Sequence, residues 1–282
     1  MKKLWKTLAA IATATVLTGC GAAGETASEG KTVRIGTMNV SERTSFIDDN
    51  GDLTGFEIEL LKLVDEKLPD YQFEFVQLDG PALFSSLDAG KVDMVNANFR
   101  RSDAREANYI HTYRAYTYTP YRIVVPEENT EIQSIEDLAG KTVGIGEGSL
   151  MATIMEAYVK ETGAPIELVY VTDNVSELLS GRIDATVVPQ RTVDAWNDSY
   201  QDVSFKAVGD PVVGKDGCMK DSNAYWWFAK GSEELRNAIS DALFELREEG
   251  KVSELSLKWY GKDYPADIDL ECEQEVMEMY GL

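Results

Sequence analysis

One histidine, His111, stands in 282 residues. A metal site built on several imidazoles and a serine–histidine nucleophile both need more than that, so His111 reads as a satisfied or surface side chain. Cysteine is scarce as well: Cys20, Cys218 and Cys272 are the full set, and their spacing matches no zinc cluster. Positive charge is short, with 27 Lys and Arg against 49 Asp and Glu and a formal net charge of −22. That balance opposes binding to nucleic acid or to an anionic lipid surface. After residue 17 no apolar run approaches the roughly 18 residues of a membrane span, so the remaining chain is not by itself a channel or permease. The glycines of VGIGEGS (residues 143–149) are spaced G-x-G-x-G, which is not the dinucleotide fingerprint. Neither a cofactor nor a metal is expected. What is present, against this acidic background, is a cluster of arginines in LDAGKVDMVNANFRRSDAREANY (residues 87–109). An apolar strand there runs into Asn98, Arg100, Arg101 and Arg105. Ligands of open α/β sheets sit beyond the carboxyl ends of strands, and a guanidinium fork matches a carboxylate. A surface ion-pair cluster is the competing reading.

The first 19 residues carry Lys2, Lys3 and Lys6 and then a short apolar run, the layout of an export signal. The tetrad LTGC at its end looks like a bacterial lipobox. Cleavage before Cys20 and lipidation of its sulfur would hold the protein at the outer face of the cell membrane by a lipid anchor alone. An ordinary signal peptide with an incidental Cys20 is the alternative. Residues 20–31 are small and polar, a flexible tether. In an exported chain Cys218 and Cys272 are available for a disulfide or remain as two thiols.

From residue 32 the periodicity reads strand (33–37), helix (56–68), strand (71–77), helix (82–89) and strand (92–97). Asn50-Gly51 marks a tight turn. The same grammar returns: strand 141–146, helix 149–160, strand 166–172, helix 175–180 and strand 183–188. LDAGKVDMVNA lies over LLSGRIDATVV in register, which predicts two similar α/β lobes with parallel sheets. Asp93 and Asp184, the paired aspartates, read as strand-entry residues. Residues 112–126 form a tyrosine-rich crossing strand, and after a loop at 214–223 comes a second β-like run, AYWWFAKG, then helices at 233–249 and 252–259. Tyr116, Tyr118 and Tyr121 either line a cleft or pack, and Trp226, Trp227 and Trp259 read as core or hinge. The two connecting segments make a hinge with a cleft between lobes.

The segments GDLTGFEIELLKLV, LDAGKVDMV with its following arginine, SIEDLAGKTVGIGEGS, SGRIDATVV and ELRNAISDALFELREEGKVSELSLKWYG together resemble the family 3 extracellular solute-binding proteins of amino-acid ABC transporters, from residue 33 to about 264. The stretch NANFRRSDAREANY resembles the cystine-type members. The resemblance implies a periplasmic-binding-protein type II fold, with lobe 1 from residues 32–121 and 225–264, lobe 2 from 122–224, and a C-terminal extension, 265–282, that packs or frays. It implies capture of a small carboxylated solute, an amino acid or derivative, and delivery to an ABC permease energised by a separate ATPase. It also implies that Arg105, twelve residues past Asp93, grips the α-carboxylate. Ala97, Asn98 and Arg100 follow the same strand, and Gly148, Ser149 and Leu150 at the start of the second-lobe helix meet the ligand from the other side.

Departures from the family pattern bear on the ligand. The usual acid for an α-ammonium falls at Pro189, with Gln190 beside it and Asp194 one helical turn on. An aromatic lid position falls near Arg43, with Phe46 just beyond; a second falls at Gly80, and a hydroxyl position is Arg100. If Arg43 and Arg100 face the cleft, the ligand is more acidic than a simple zwitterion, for instance an amino acid with an extra acid or a cystine-like diamino diacid. Two alternatives stand beside this reading: a dehydratase of the same fold with Glu147 as general acid, and a ligand sensor.

Overall fold

The computed structural model describes residues 30–39, 43–147, 149–200, 202–213 and 221–282. The signal segment, Cys20, nearly all of the tether, Gly148 and Cys218 lie outside them. In chain order the first part holds β1 (Lys31–Thr37), a hairpin of β2 (Phe46–Ile47) and β3 (Leu53–Thr54), α1 (Phe56–Lys67), β4 (Tyr71–Gln77), α2 (Gly80–Asp88), β5 (Met94–Phe99), α3 (Asp103–Asn108), β6 (Tyr109–His111) and β7 (Thr117–Tyr118). The second holds β8 (Tyr121–Pro126), β9 (Thr142–Ile145), α4 (Leu150–Thr162), β10 (Glu167–Tyr170), α5 (Asn174–Leu179), β11 (Ala185–Pro189), α6 (Gln190–Ser199) and β12 (Phe205–Val208). The chain then returns through β13 (Asn223–Ala229) to α7 (Glu233–Glu248), α8 (Lys251–Tyr260) and α9 (Leu270–Met279).

Beside the β2–β3 hairpin, two larger sheets form among the described residues, and they share one layout. The first runs β4-β1-β5-β13-β6 with β7 beside β13; the second runs β10-β9-β11-β8-β12. In each, a central strand pairs in parallel with two neighbours, and the next strand out is antiparallel. The repeated aspartates explain part of this. Asp93 accepts the backbone N–H of Arg34 at 2.9 Å and its guanidinium at 3.0 Å, while Asp184 accepts the backbone N–H of Thr142 at 2.8 Å. Each carboxylate therefore satisfies a backbone donor one residue ahead of the point where β5 or β11 joins β1 or β9, the strand-entry role expected from the register.

Apolar residues at helical spacing in α1 (Phe56, Leu60, Leu61, Val64) bury against α7, α8 and the first sheet. Gly55 enters α1 with φ 115, and a Cβ there would meet Thr44 O at 2.6 Å, so the backbone approach requires glycine. Trp226 is fully buried, stacked on Tyr116 at 4.9 Å and donating to Asn96 Oδ1 at 2.9 Å. Trp227 is buried beside α2, and Trp259 lies at the edge against Phe46. His111 is a core side chain: its Nδ1 meets Thr112 O at 2.7 Å, its ring packs on Tyr225 and Trp227, and burial lowers its pKa.

Some elements differ from the sequence reading. The crossing strand at 112–126 is broken into β7 and β8, with Pro120 between them. Helix α3 is not in the sequence reading, and α6 appears there only as the single turn from Pro189 to Asp194. α6 has a stripe of only two large apolar residues, Val193 and Trp196, and starts from Pro189 with no side-chain N-cap, so little in the sequence announces it. The tail does pack: Ile268 and Val276 join Tyr113, Ala115 and Tyr225, and Glu273 reaches the first sheet's connecting segment.

Candidate ligand-binding site

β5 carries its chain to the carboxyl edge of the first sheet, and there the backbone bends. Asn98 adopts φ 54, a left-handed conformation that costs about 1 kcal/mol or more for a residue with a side chain. The bend turns Arg100 inward before Ser102 caps α3, its hydroxyl accepting from Arg105 N at 3.3 Å. Arg105 donates from Nη1 to Arg100 O at 2.8 Å and lies 4.9 Å from the Phe99 ring centroid. A ring face under a guanidinium fixes its plane without neutralising its charge. On the second sheet, β11 delivers Pro189 to the corresponding edge and α6 starts at once.

A cavity of about 670 Å³ lies between the two sheets. Thr44, Ala97, Asn98, Arg100 and Arg105 line it from one side; Tyr121, Leu150, Pro189, Arg191 and Asp194 line it from the other; Tyr260 and Tyr264 join them from the C-terminal part of the chain. Of the residues expected in the cleft, Ala97, Asn98, Arg100, Arg105, Leu150 and Arg43 reach this cavity. Arg43, at φ 76, also pairs with Asp198 at 3.2 Å and is about half exposed. Ser149 is the N-cap of α4, its hydroxyl accepting from Ala152 N at 3.0 Å, and is absent from the lining. Phe46 lies outside the cavity because its ring is turned edge-on to Trp259, 5.9 Å away. Gln190 also points elsewhere. It donates to Asp194 Oδ1 at 3.3 Å and lines a neighbouring cavity of about 530 Å³.

Sequence reasoning missed Arg191, Tyr260 and Tyr264. Arg191 Nη1 donates to the Tyr260 hydroxyl at 2.8 Å, its guanidinium 5.1 Å from that ring. Asp194 accepts from Lys262 Nζ at 2.6 Å and from the Tyr264 hydroxyl. The first turns of α6 are thus tied to the segment around α8, across the gap between the sheets. The internal repeat held the signal for Arg191. It lies seven residues past Asp184, as Arg100 lies seven past Asp93.

Charge at the site is unusual for so acidic a chain. Arg100 is buried, and burial, with Arg191 nearby, lowers its pKa. Burial opposes the Arg191 charge too, but Tyr260, Glu57 and Tyr116 outweigh it and raise its pKa. Beneath the cavity, Glu57 is fully buried and accepts from the Tyr116 hydroxyl at 2.8 Å. Burial pushes Glu57 up to about 7 from 4.5, against the opposing pull of Arg191, Tyr116 and Asn96. A raised carboxyl binds its proton more tightly folded than unfolded, so its contribution favours folding below 4.5 and is lost as pH rises to about 7. The linkage is worth about 3 kcal/mol over that window. Thermal melts of Glu57→Gln and of the unsubstituted protein between pH 5 and pH 8 should therefore differ in slope, the substituted protein losing less stability as pH rises; parallel curves would show that Glu57 does not titrate there.

Comparison with known proteins accords with this architecture. The chain is 34% identical over 244 residues to L-cystine-binding protein TcyJ of Bacillus subtilis, covering 85% of this chain and 88% of that protein. It is 34% identical to L-cystine-binding protein TcyK of the same organism, covering 89% and 93%. A crystal structure of the probable amino-acid ABC transporter extracellular-binding protein ytmK, also from Bacillus subtilis, superposes with a TM-score of 0.71 at 33% identity, covering 83% of this chain and all of that one. Residues 33–262 match the model of one family across most of the chain, and the protein belongs to it: the bacterial extracellular solute-binding proteins, family 3.

Proposed function

We propose that this chain is the ligand-binding component of an ABC importer, which captures an amino acid or a derivative of one in the cavity between the sheets and hands it to a membrane permease driven by a separate ATPase. The single observation that carries the reading is the position of Arg105: past the end of β5, held over Phe99, and lining a cavity reached from both sheets. Its guanidinium serves the ligand α-carboxylate, and the start of α4, through Leu150, approaches from the second sheet. Backbone N–H groups at a helix N-terminus favour an anion, which gives both sides a share in the same group. The connection between β7 and β8, with residues 221–222 beside it where the chain enters β13, acts as the hinge. Closure excludes water and strengthens each charged contact. The names of the relatives support an amino-acid ligand and cystine-type chemistry in particular. Belonging to a family of binding proteins sets the dehydratase alternative aside. Cys20 is the attachment point that holds the protein at the extracellular face of the membrane, within reach of the permease.

Titration calorimetry of the purified chain with L-cystine and a panel of amino acids tests the reading. At least one should bind with a dissociation constant near ~1 μM, about −8 kcal/mol. Absence of heat across the panel, with a sugar or an oligopeptide binding instead, would end it.

A further inference from the structure

Arg100 and Arg191 occupy equivalent places in the internal repeat, each seven residues past the aspartate that opens its sheet. Both line the same cavity, one from each sheet. Arg100 donates from Nε and Nη2 to Thr119 O at 3.2 and 2.5 Å, and its guanidinium sits 4.6 Å from the Tyr121 ring centroid. Arg191 donates to the Tyr260 hydroxyl. These acceptors are a carbonyl and a phenol, so both guanidiniums are held in place by neutral oxygens. Glu57 balances Arg191 only through space, and Tyr116 holds that carboxyl. Asp194, the acid among the described lining residues, is occupied by Lys262 and Tyr264.

Two guanidiniums facing one cavity, Arg100 buried and Arg191 partly so, repel each other, and each keeps N–H groups unused by its neutral acceptor. Arg100 carries that cost: burial, the largest effect, and the proximity of Arg191 disfavour its charge, and Tyr121, Tyr116 and the more distant Asp221 offset this only in part. A single anion placed between them would offset the repulsion and offer acceptors to both. The chain as a whole is strongly acidic, so this concentration of cations is local and not part of a general basic surface. The geometry points to a second anion subsite, formed by Arg100 and Arg191, that receives a side-chain carboxylate of an amino acid whose α-carboxylate Arg105 holds. The inference rests on the amino-acid-binding reading above and narrows it to ligands with an acidic side chain, such as S-carboxyalkyl derivatives of cysteine.

The discriminating pair is S-carboxymethyl-L-cysteine and its side-chain amide, S-carbamoylmethyl-L-cysteine, which share size and shape and differ in charge. Calorimetry should give a dissociation constant at least ~30-fold lower for the acid than for the amide. In Arg191→Gln the ratio of the two dissociation constants, both read in the same variant, should fall to within about 3-fold; Arg191→Lys should keep part of the preference. An amide that binds as tightly as the acid overturns the subsite and leaves amino-acid binding intact. If neither compound binds, nor L-cystine nor any other amino acid, the amino-acid reading itself is overturned and the subsite with it. Retention of the full acid preference in Arg191→Gln overturns the assignment of Arg191 and shows that the second anion is received elsewhere.

Discussion

Replacing Arg105 by alanine is expected to weaken binding of the ligand by at least ~100-fold and to leave the melting temperature within a few degrees. The size follows from what the side chain does. A carboxylate in a partly dry cavity gives up its water, and loss of the one fork that faces it costs on the order of 2–5 kcal/mol. The small stability effect follows from its surroundings. Arg105 sits on the short helix α3, no residue of which is buried, its Nη1 on a backbone carbonyl and its guanidinium against the faces of Phe99 and Phe84. Arg105→Lys keeps a charge but loses the planar fork and the ring stacking, so it should fall between the two. Calorimetry with the ligand that co-purifies, identified by mass spectrometry, measures the effect. Binding within about 3-fold of the unsubstituted protein would mean that the α-carboxylate is held elsewhere, with Arg100 the next group to test.

Much of the architecture could be read from residue order because each half repeats one physical program: an apolar strand, an amphipathic helix ended by glycine, and an aspartate opening the next strand. Asp93 and Asp184 show why the match was reliable, since both meet the same backbone requirement at the same place in their sheets. Ala97, Asn98, Arg100 and Arg105, which the family resemblance singled out on and after β5, do line one cavity. The second side of the cavity was harder. α6 has only Val193 and Trp196 on its apolar face and no side-chain cap, too short a pattern to fix a helix from the sequence, and without the helix Arg191 has no direction. Tyr260 and Tyr264 come from the far end of the sequence, and only tertiary packing brings them over α6. Phe46 and Gln190 failed as lining residues for a related reason: their nearest partners, Trp259 and Asp194, are not sequence neighbours at strand or helix spacing. Arg43 and Arg100, both left open, do line the cavity, but only Arg100 is buried there.

The second large effect is expected far from the cavity, at Glu273 in α9. This carboxylate is 1% exposed, accepts the backbone N–H of Ala115 at 2.6 Å, and pairs with Arg247 at 2.5 Å and Arg114 at 3.4 Å. It therefore ties three parts of the chain together: the last helix, the segment before β7, and the end of α7. Glu273→Ala leaves two largely buried guanidiniums without that counter-charge and Ala115 without its acceptor. Breaking a buried pair from one side costs about 3–5 kcal/mol. For a chain of this size that is a fall of roughly 6–20 °C in melting temperature. α9 has its own N-cap in Asp269, which accepts from Cys272 N at 3.1 Å, so the helix can persist locally while its docking fails. Loss of docking would uncover Tyr225, whose cluster includes Ile268 and Val276. Differential scanning calorimetry checks the shift, and calorimetric titration well below the melting temperature should still find ligand binding, because Glu273 and its partners do not line the cavity. A shift smaller than about 2 °C would mean that Val276, Ile268 and the stacking of Tyr280 on Arg236 hold the tail without the charge cluster.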